Sequence, residues 1–290
     1  MDLEKKIPIS AEIIQRKGAR KAADIPEAVM QLLQRGRLQT ANLTEWLAID
    51  HLKLLQHVLC ELELHEESDE MLSGLERLNQ KKIMSTIPAI AKKWLSLLDR
   101  VPEKEGFRIF HALACHRSDS VRCWAAYMIG LDEQLTITQK LTGIRPFAAD
   151  SHFGVREMAW MAVRESISNE LLQALDILHE WVRDEDSNIR RFAVESLRPQ
   201  GVWAKHLYVL KEQPQLALPL LEEVKSDPVK YVQDSVGNWL NDAGKTNPDW
   251  VRRICDAWLE ASDTKETKRI VARATRSLLK EKIEGAAALS

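Results

Sequence analysis

Tyrosine and phenylalanine are scarce: 290 residues hold three Tyr and five Phe against nine Trp. Long apolar runs are missing too. No stretch approaches the roughly 18 apolar residues of a membrane-spanning helix. The opening residues MDLEKKIPIS carry charges but no apolar core, unlike a secretory signal. The four cysteines (Cys60, Cys115, Cys123, Cys255) are scattered without a CxxC pair, so unpaired thiols in a reducing compartment are expected and a metal site is not. GxGxxG and P-loop motifs are absent, which argues against nucleotide binding. HExxH and GxSxG are absent as well. His51 and His57 lie six apart on a helix and do not share a face. These gaps set aside metal-dependent hydrolysis and acyl transfer. The net charge of −2 excludes a uniformly basic surface but not a basic groove.

No alternating β-branched run bounded by turns occurs, whereas helical periodicity runs through the whole chain. Pro26 to Arg35 reads as a helix with proline at its first position. Residues 42–64 read as one long amphipathic stretch capped by Asn42 or Thr44. From residue 103 onward the helices shorten and pair. Lys5, Lys6, Arg16, Lys17, Arg20 and Lys21 suit a flexible basic arm. The expected organisation is an N-terminal helical bundle at 1–100, continuous with repeats at 101–281, and a frayed tail at 282–290.

A motif recurs four times in the second half: Val121-Arg122 with Ala125, Val155-Arg156 with Ala159, Ile189-Arg190 with Ala193, and Val232-Gln233 with Val236. Spacings of 34, 34 and 43 residues separate the copies. Acids precede each one: Asp119, Asp150, Asp184 with Asp186, and Asp227. A period in this range means stacked helical hairpins, an all-α solenoid with an extended concave face. With the Val or Ile as position zero, +4 and +8 are apolar or small in all copies and must face the interior. A second stripe runs through +2, +5, +6 and +9. In copy two it is Glu157, Trp160, Met161 and Arg164; in copy three, Arg191, Val194, Glu195 and Arg198; in copy four, Asp234, Gly237, Asn238 and Asn241.

The arginines at +1 (Arg122, Arg156, Arg190) suit a ladder to acids of the adjacent repeat, with phosphate contact as the alternative. Arg164, Arg191 and Arg198 are less easily explained by the repeat and suit a polyanion. Glu157, one turn from Trp160, is the most pointed carboxylate; the plainer reading pairs it with Arg164 or Arg191. Seven tryptophans follow residue 120: Trp124, Trp160, Trp181, Trp203, Trp239, Trp250 and Trp258. Most are expected in the core, with one or two as exposed stacking platforms.

Three segments carry a resemblance: FGVREMAWMAVR (153–164), SNIRRFAVESLRPQGVWAKHL (187–207) and SDPVKYVQDSVGNWLNDAGKTNPDWV (226–251). They resemble the HEAT-like repeat family of DNA alkylation repair proteins, the AlkC- and AlkD-like alkylpurine DNA glycosylases, and most of all its AlkC-like side. The resemblance covers roughly residues 100–260. It implies a C-shaped HEAT-like solenoid whose concave face cradles duplex DNA. It also implies cleavage of the N-glycosidic bond of N3- or N7-alkylated bases without flipping them into a pocket. A cationic alkylpurine leaves readily, so the enzyme mainly stabilises an oxocarbenium-like sugar and positions water. Where the AlkC-like pattern carries an acid, this chain has Trp160. The nearest acid is Glu157, so the carboxylate is either shifted or lost; Asp234 and Asp242 are further acids on the copy-four helix.

The expected catalytic group is therefore Glu157, Trp160 and Asp234. DNA contacts are expected from Arg156, Arg164, Arg190, Arg191, Arg198, Lys230, Asn238, Asn241 and Lys245. Damaged duplex DNA is the expected partner of a cytoplasmic monomer needing no cofactor, metal or membrane. Two other readings stay open: a DNA-binding repeat protein without catalysis, and a protein-binding scaffold.

Overall fold

The computed structural model describes residues 8–75, 83–201 and 203–278. The expected frayed tail at 282–290, together with Lys5 and Lys6, lies outside the described residues. Every regular element among the described residues is a helix. The chain divides into two compact units, residues 1–132 and 133–290. The boundary expected at residue 100 thus falls inside the first unit, where α7 (Glu103–Ala114) and α8 (Asp119–Leu131) both pack on α6 (Ile83–Leu98).

The first unit begins with α1 (Ala11–Ile14), α2 (Glu27–Gln34), α3 (Leu43–Leu47), α4 (His51–Glu61) and α5 (Ser68–Leu72). The stretch 42–64 is two helices rather than one. Asn42 caps α3 by accepting from Glu45 N at 3.0 Å, and Asp50 starts α4 by accepting from Leu52 N and Lys53 N at 3.1 and 3.3 Å. An aspartate offering its side chain to backbone amides makes a new helix start cheaper than continuing the old one. Pro26 precedes the first helical residue of α2 as its cap. Arg16 is no part of a free arm: its guanidinium reaches both carboxylate oxygens of buried Glu45, at 2.9 and 2.5 Å.

The second unit comprises α9 (Ile137–Ala148), α10 (Phe153–Asn169), α11 (Leu171–Trp181), α12 (Ser187–Ser196), α13 (Tyr208–Glu212), α14 (Leu218–Glu223), α15 (Lys230–Gly244), α16 (Pro248–Ala261) and α17 (Lys265–Ala274). The second helices of successive repeats pack in series: α10 on α12, α12 on α15, α15 on α17. Position zero, +4 and +8 explain that layer. Val155, Ala159, Val163, Ile189, Ala193, Leu197, Val232, Val236 and Leu240 are all buried. Each buried aliphatic side chain contributes about 1.5–3 kcal/mol. The alanines at +4 keep neighbouring helices close.

The helix α17 is a fifth copy that lacks the Val/Ile-Arg signature of the other four. Thr267 stands at position zero and Val271 at +4, both buried. The zero position therefore carries a hydroxyl instead of a branched hydrocarbon. Thr267 Oγ1 donates to Lys225 O at 3.0 Å, which satisfies that hydroxyl in the interior.

Candidate nucleic-acid interface

Each repeat must first close the turn that starts its second helix, and the same two bonds do so. In copies two to four the aspartate at −5 accepts the amide two residues on: Asp150 from His152 N, Asp184 from Asp186 N, Asp227 from Val229 N, at 2.7, 2.8 and 2.8 Å. The residue at +1 then donates back to the carbonyl at −5. Arg156 reaches Asp150 O at 2.7 Å, Arg190 reaches Asp184 O at 2.9 Å, and Gln233 reaches Asp227 O at 2.8 Å. Gln233 can replace arginine because this bond needs one N–H donor and no charge. Arg190 goes further and forks onto Asp227 of the next repeat at 2.7 and 3.1 Å. Asp119 accepts from Thr40 N and Oγ1, and Asp186 caps α12 through Asn188 N.

The stripe at +2, +6 and +9 forms a second, lateral set of bonds across α10, α12, α15 and α17. Glu157 at +2 pairs with Arg191 at +2 of the next copy, at 2.7 Å. Trp160 Nε1 donates to the other oxygen of Glu157 at 2.8 Å. Asp234 pairs with Arg269 at 2.5 Å and Arg273 at 3.2 Å. Asn238 accepts from Arg273 Nε at 2.9 Å. Copy five thus places Arg269, Arg273 and Arg276 at +2, +6 and +9.

Beneath this rim lies a buried ionic cluster. Glu195 accepts from Arg198 at 2.6 Å and from Ser235 Oγ at 2.7 Å, with Arg191 at 3.6 Å. Arg198 also holds Asp242 at 2.8 Å, and Asp242 holds Lys245 at 3.3 Å. Burial opposes the charge on Glu195, but Arg191, Arg198 and the hydrogen bonds outweigh it, so its carboxyl titrates below the ordinary range. Burial likewise opposes charge on Arg191 and Arg198, and their acidic partners more than compensate. Arg164 differs. Burial first, and Arg198 second, bring its guanidinium down to about 10.

The predicted residues therefore separate by accessibility. Trp160 is buried, and the Arg164 guanidinium lies 5.6 Å from its ring centre. Arg164 donates to the carbonyls of Lys205, Ser196 and Arg198 at 2.7, 2.8 and 2.5 Å, so it clamps the segment after α12 to α10. Of the two partners considered for Glu157, Arg191 is the one that pairs. Arg191 and Arg198 are buried in the cluster, and Arg190 is committed to Asp227. Asn241 is buried, with its Oδ1 lacking a hydrogen-bond partner among the described residues. Lys245 bonds Gln200 at 3.0 Å, and Lys230 is exposed. Glu157, Asp234, Asn238 and Arg156 are half-buried.

Three features of this face were not anticipated. Tyr231, half-buried on α15, lies under two guanidiniums, Arg191 at 4.7 Å and Arg156 at 5.4 Å from its ring centre. Its signal was weak, since a tyrosine at −1 is outside the stripe. The α17 arginines were hidden by the threonine at position zero. Trp203 is 57% exposed and has a left-handed backbone, φ 61°, in the segment that Arg164 clamps. Six other tryptophans are fully buried: Trp46, Trp94, Trp124, Trp160, Trp239 and Trp258. Val202 beside Trp203 lies outside the described residues.

No helix among the described residues is long and apolar enough to cross a membrane, and no group of three or more metal-ligating side chains is found among them. Comparison with known proteins places the second unit. Residues 147–278 match the family model described as DNA alkylation repair enzyme. Over 128 residues, 44% of this chain, the sequence is 35% identical to the uncharacterized protein YhaZ of Bacillus subtilis (strain 168). That stretch spans 35% of YhaZ. Among solved structures, the Pseudomonas fluorescens alkylpurine DNA glycosylase AlkC, bound to DNA containing an abasic site analog, superposes with a TM-score of 0.63 at 22% identity. The match covers 79% of this chain and 63% of AlkC. AlkD2 from Streptococcus mutans gives a TM-score of 0.53 at 24% identity, covering 71% of this chain and 97% of AlkD2. These superpositions bear out the all-α helical-repeat fold expected from the sequence. The stripe-bearing helices α10, α12, α15 and α17 all fall within residues 147–278, the segment that matches the DNA alkylation repair enzyme family model.

Proposed function

We propose that the chain is a DNA repair glycosylase that hydrolyses the N-glycosidic bond of cationic N3- or N7-alkylated purines in duplex DNA. The observation that carries this reading is the setting of Glu157. Its side chain is 30% exposed, and its carboxylate is fixed by the Trp160 indole on one oxygen and Arg191 on the other. A carboxylate so oriented costs no reorganisation when positive charge develops on a sugar beside it. The glycosidic electron pair leaves with the base and neutralises its ring cation, so no general acid is required. Water then adds at C1′, and its proton passes to Glu157 or solvent. Trp160, with no exposed face, acts as a positioning residue for Glu157.

Backbone phosphates are held by the accessible cations of the same face: Arg156, Lys230, Lys245, Arg269 and Arg273. Trp203 supplies the exposed stacking face. The AlkC superposition supports the reading, because AlkC is an alkylpurine DNA glycosylase and the abasic site analog in its DNA mimics what base excision leaves.

The test is incubation with methylated duplex DNA and detection of free 3-methyladenine and 7-methylguanine. Wild-type protein is expected to release them, and Glu157→Gln to lose release while still binding the duplex. Release by Glu157→Gln at the wild-type rate would move the chemistry to another carboxylate, Asp234 being next. One observation favours a second reading, DNA binding without excision: both oxygens of Glu157 already accept from protein donors. Salt-dependent duplex binding by a wild-type protein that releases no base, even in large excess, establishes it.

A further inference from the structure

The first unit holds a cleft of about 640 Å³ whose lining carries three guanidiniums. Arg35, Arg37, Arg117, His57 and His116 line it together with a single carboxylate, Glu61. Guanidinium forks in a recess of this kind match the oxygens of a phosphate group. We propose that this cleft is a phosphate-binding site, separate from the stripe on residues 147–278.

Copy one departs from the other repeats at this cleft. Copies two to four carry aspartate at −5, and copy one carries His116 there. His116 performs the same turn-closing task, accepting from Ser118 N through Nδ1 at 3.0 Å. That bond assigns the imidazole proton to Nε2, which stands 3.4 Å from Glu61 Oε2. A carboxylate is thereby exchanged for a donor that lines the cleft. Arg122 at +1 fixes the same turn by donating to the carbonyls of His116 and Arg117 at 2.8 and 3.1 Å.

The opposite wall is built to admit that imidazole. Gly36 ends α2 with φ 68°, Gly36 N bonding Leu33 O and Arg37 N bonding Leu32 O. This left-handed helix end presents Arg35 and Arg37 on either side of a residue with no side chain. A Cβ at Gly36 would stand 2.8 Å from His116 Cε1. The position thus demands glycine twice, for its backbone angle and for the approach of the ring. Burial first, and the neighbouring Arg35 charge second, lower the titration of His57.

Two thiols report occupancy. Cys60 and Cys115 line the cleft and are exposed, whereas Cys123 and Cys255 are buried. N-ethylmaleimide, being neutral, is expected to label the first pair in the native protein, and site-resolved mass spectrometry follows each. Inorganic phosphate and a short undamaged duplex are the two probes. Saturable protection by inorganic phosphate, not increased by the duplex, identifies a free phosphate ligand. Protection by the duplex that weakens steeply with salt identifies a DNA backbone phosphate. His116→Asp restores the carboxylate of the other copies and is expected to raise the half-protecting concentration at least about tenfold. Arg117→Ala is expected to do the same and serves where the Asp variant does not fold. Labelling that neither probe slows, or protection that both variants leave unchanged, overturns the proposal.

Discussion

The inner cluster and the rim of the second unit use the same residue types for different ends. Inside, Glu195 and Asp242 are 5% and 4% exposed and lie against Arg191 and Arg198 at 7% and 10%. On the rim, Glu157, Asp234, Arg269 and Arg273 are 30–38% exposed. An arginine paired to a solvated aspartate can exchange it for a phosphate at little cost, because the exposed pair is itself worth about 0–1 kcal/mol. Arg198 cannot, since withdrawing it from two buried carboxylates, Glu195 and Asp242, carries a desolvation penalty of several kcal/mol. Reading an arginine as a DNA contact therefore depends on what its partner would be left with.

The largest expected effect breaks the inner cluster. Glu195→Gln leaves Arg191 and Arg198 short of a charge in a buried site, and about 3–5 kcal/mol of stability should go. A urea titration followed by circular dichroism measures it. A loss below about 1 kcal/mol would mean that water reaches the cluster and that inside and rim are not distinct.

The rim should answer differently. Asp234→Asn removes the acid shared by Arg269 and Arg273 and should change stability by less than about 1 kcal/mol. It should instead tighten duplex binding and steepen its dependence on salt, because two guanidiniums lose their internal competitor. Fluorescence anisotropy across a salt series reads both effects. Weaker binding at every salt concentration would show that Asp234 orients those arginines rather than competing for them. Base release that persists in this variant would also keep the chemistry on Glu157.

This contrast marks what was legible in the sequence. Positions zero, +4 and +8 follow from hydrophobic period alone, and the structure buries them. The arginine at +1 reads in the sequence as a ladder to neighbouring acids or a phosphate contact, and Arg156 and Arg190 stood among the expected DNA contacts; its bonds to the turn carbonyls explain why glutamine serves in copy four. Accessibility at +5 was not legible. Trp160 is at the stripe's border, and only the Arg164 guanidinium against its ring and the neighbouring helices decide that it is covered. Arg164 and Arg198 were equally opaque, because their partners are backbone carbonyls and an acid distant in sequence. Period also fails where chemistry substitutes for shape, as with the threonine that opens the fifth copy.

The smallest expected stability change tests the rim most sharply. Trp203 combines an exposed indole with a left-handed backbone, a conformation that costs a residue bearing a Cβ about 1–2 kcal/mol. Burial does not repay that cost at 57% exposure. Trp203→Gly should accordingly hold or raise the melting temperature, while Trp203→Ala, which keeps the Cβ, should gain nothing from the backbone. If the indole stacks on DNA, both variants should weaken duplex binding by about 1–3 kcal/mol, and by the same amount as each other. A glycine variant that is more stable and binds as well as wild type would remove Trp203 from the interface. A glycine variant that is more stable but binds poorly would mean that the strain at residue 203 is sustained for the sake of the surface it presents.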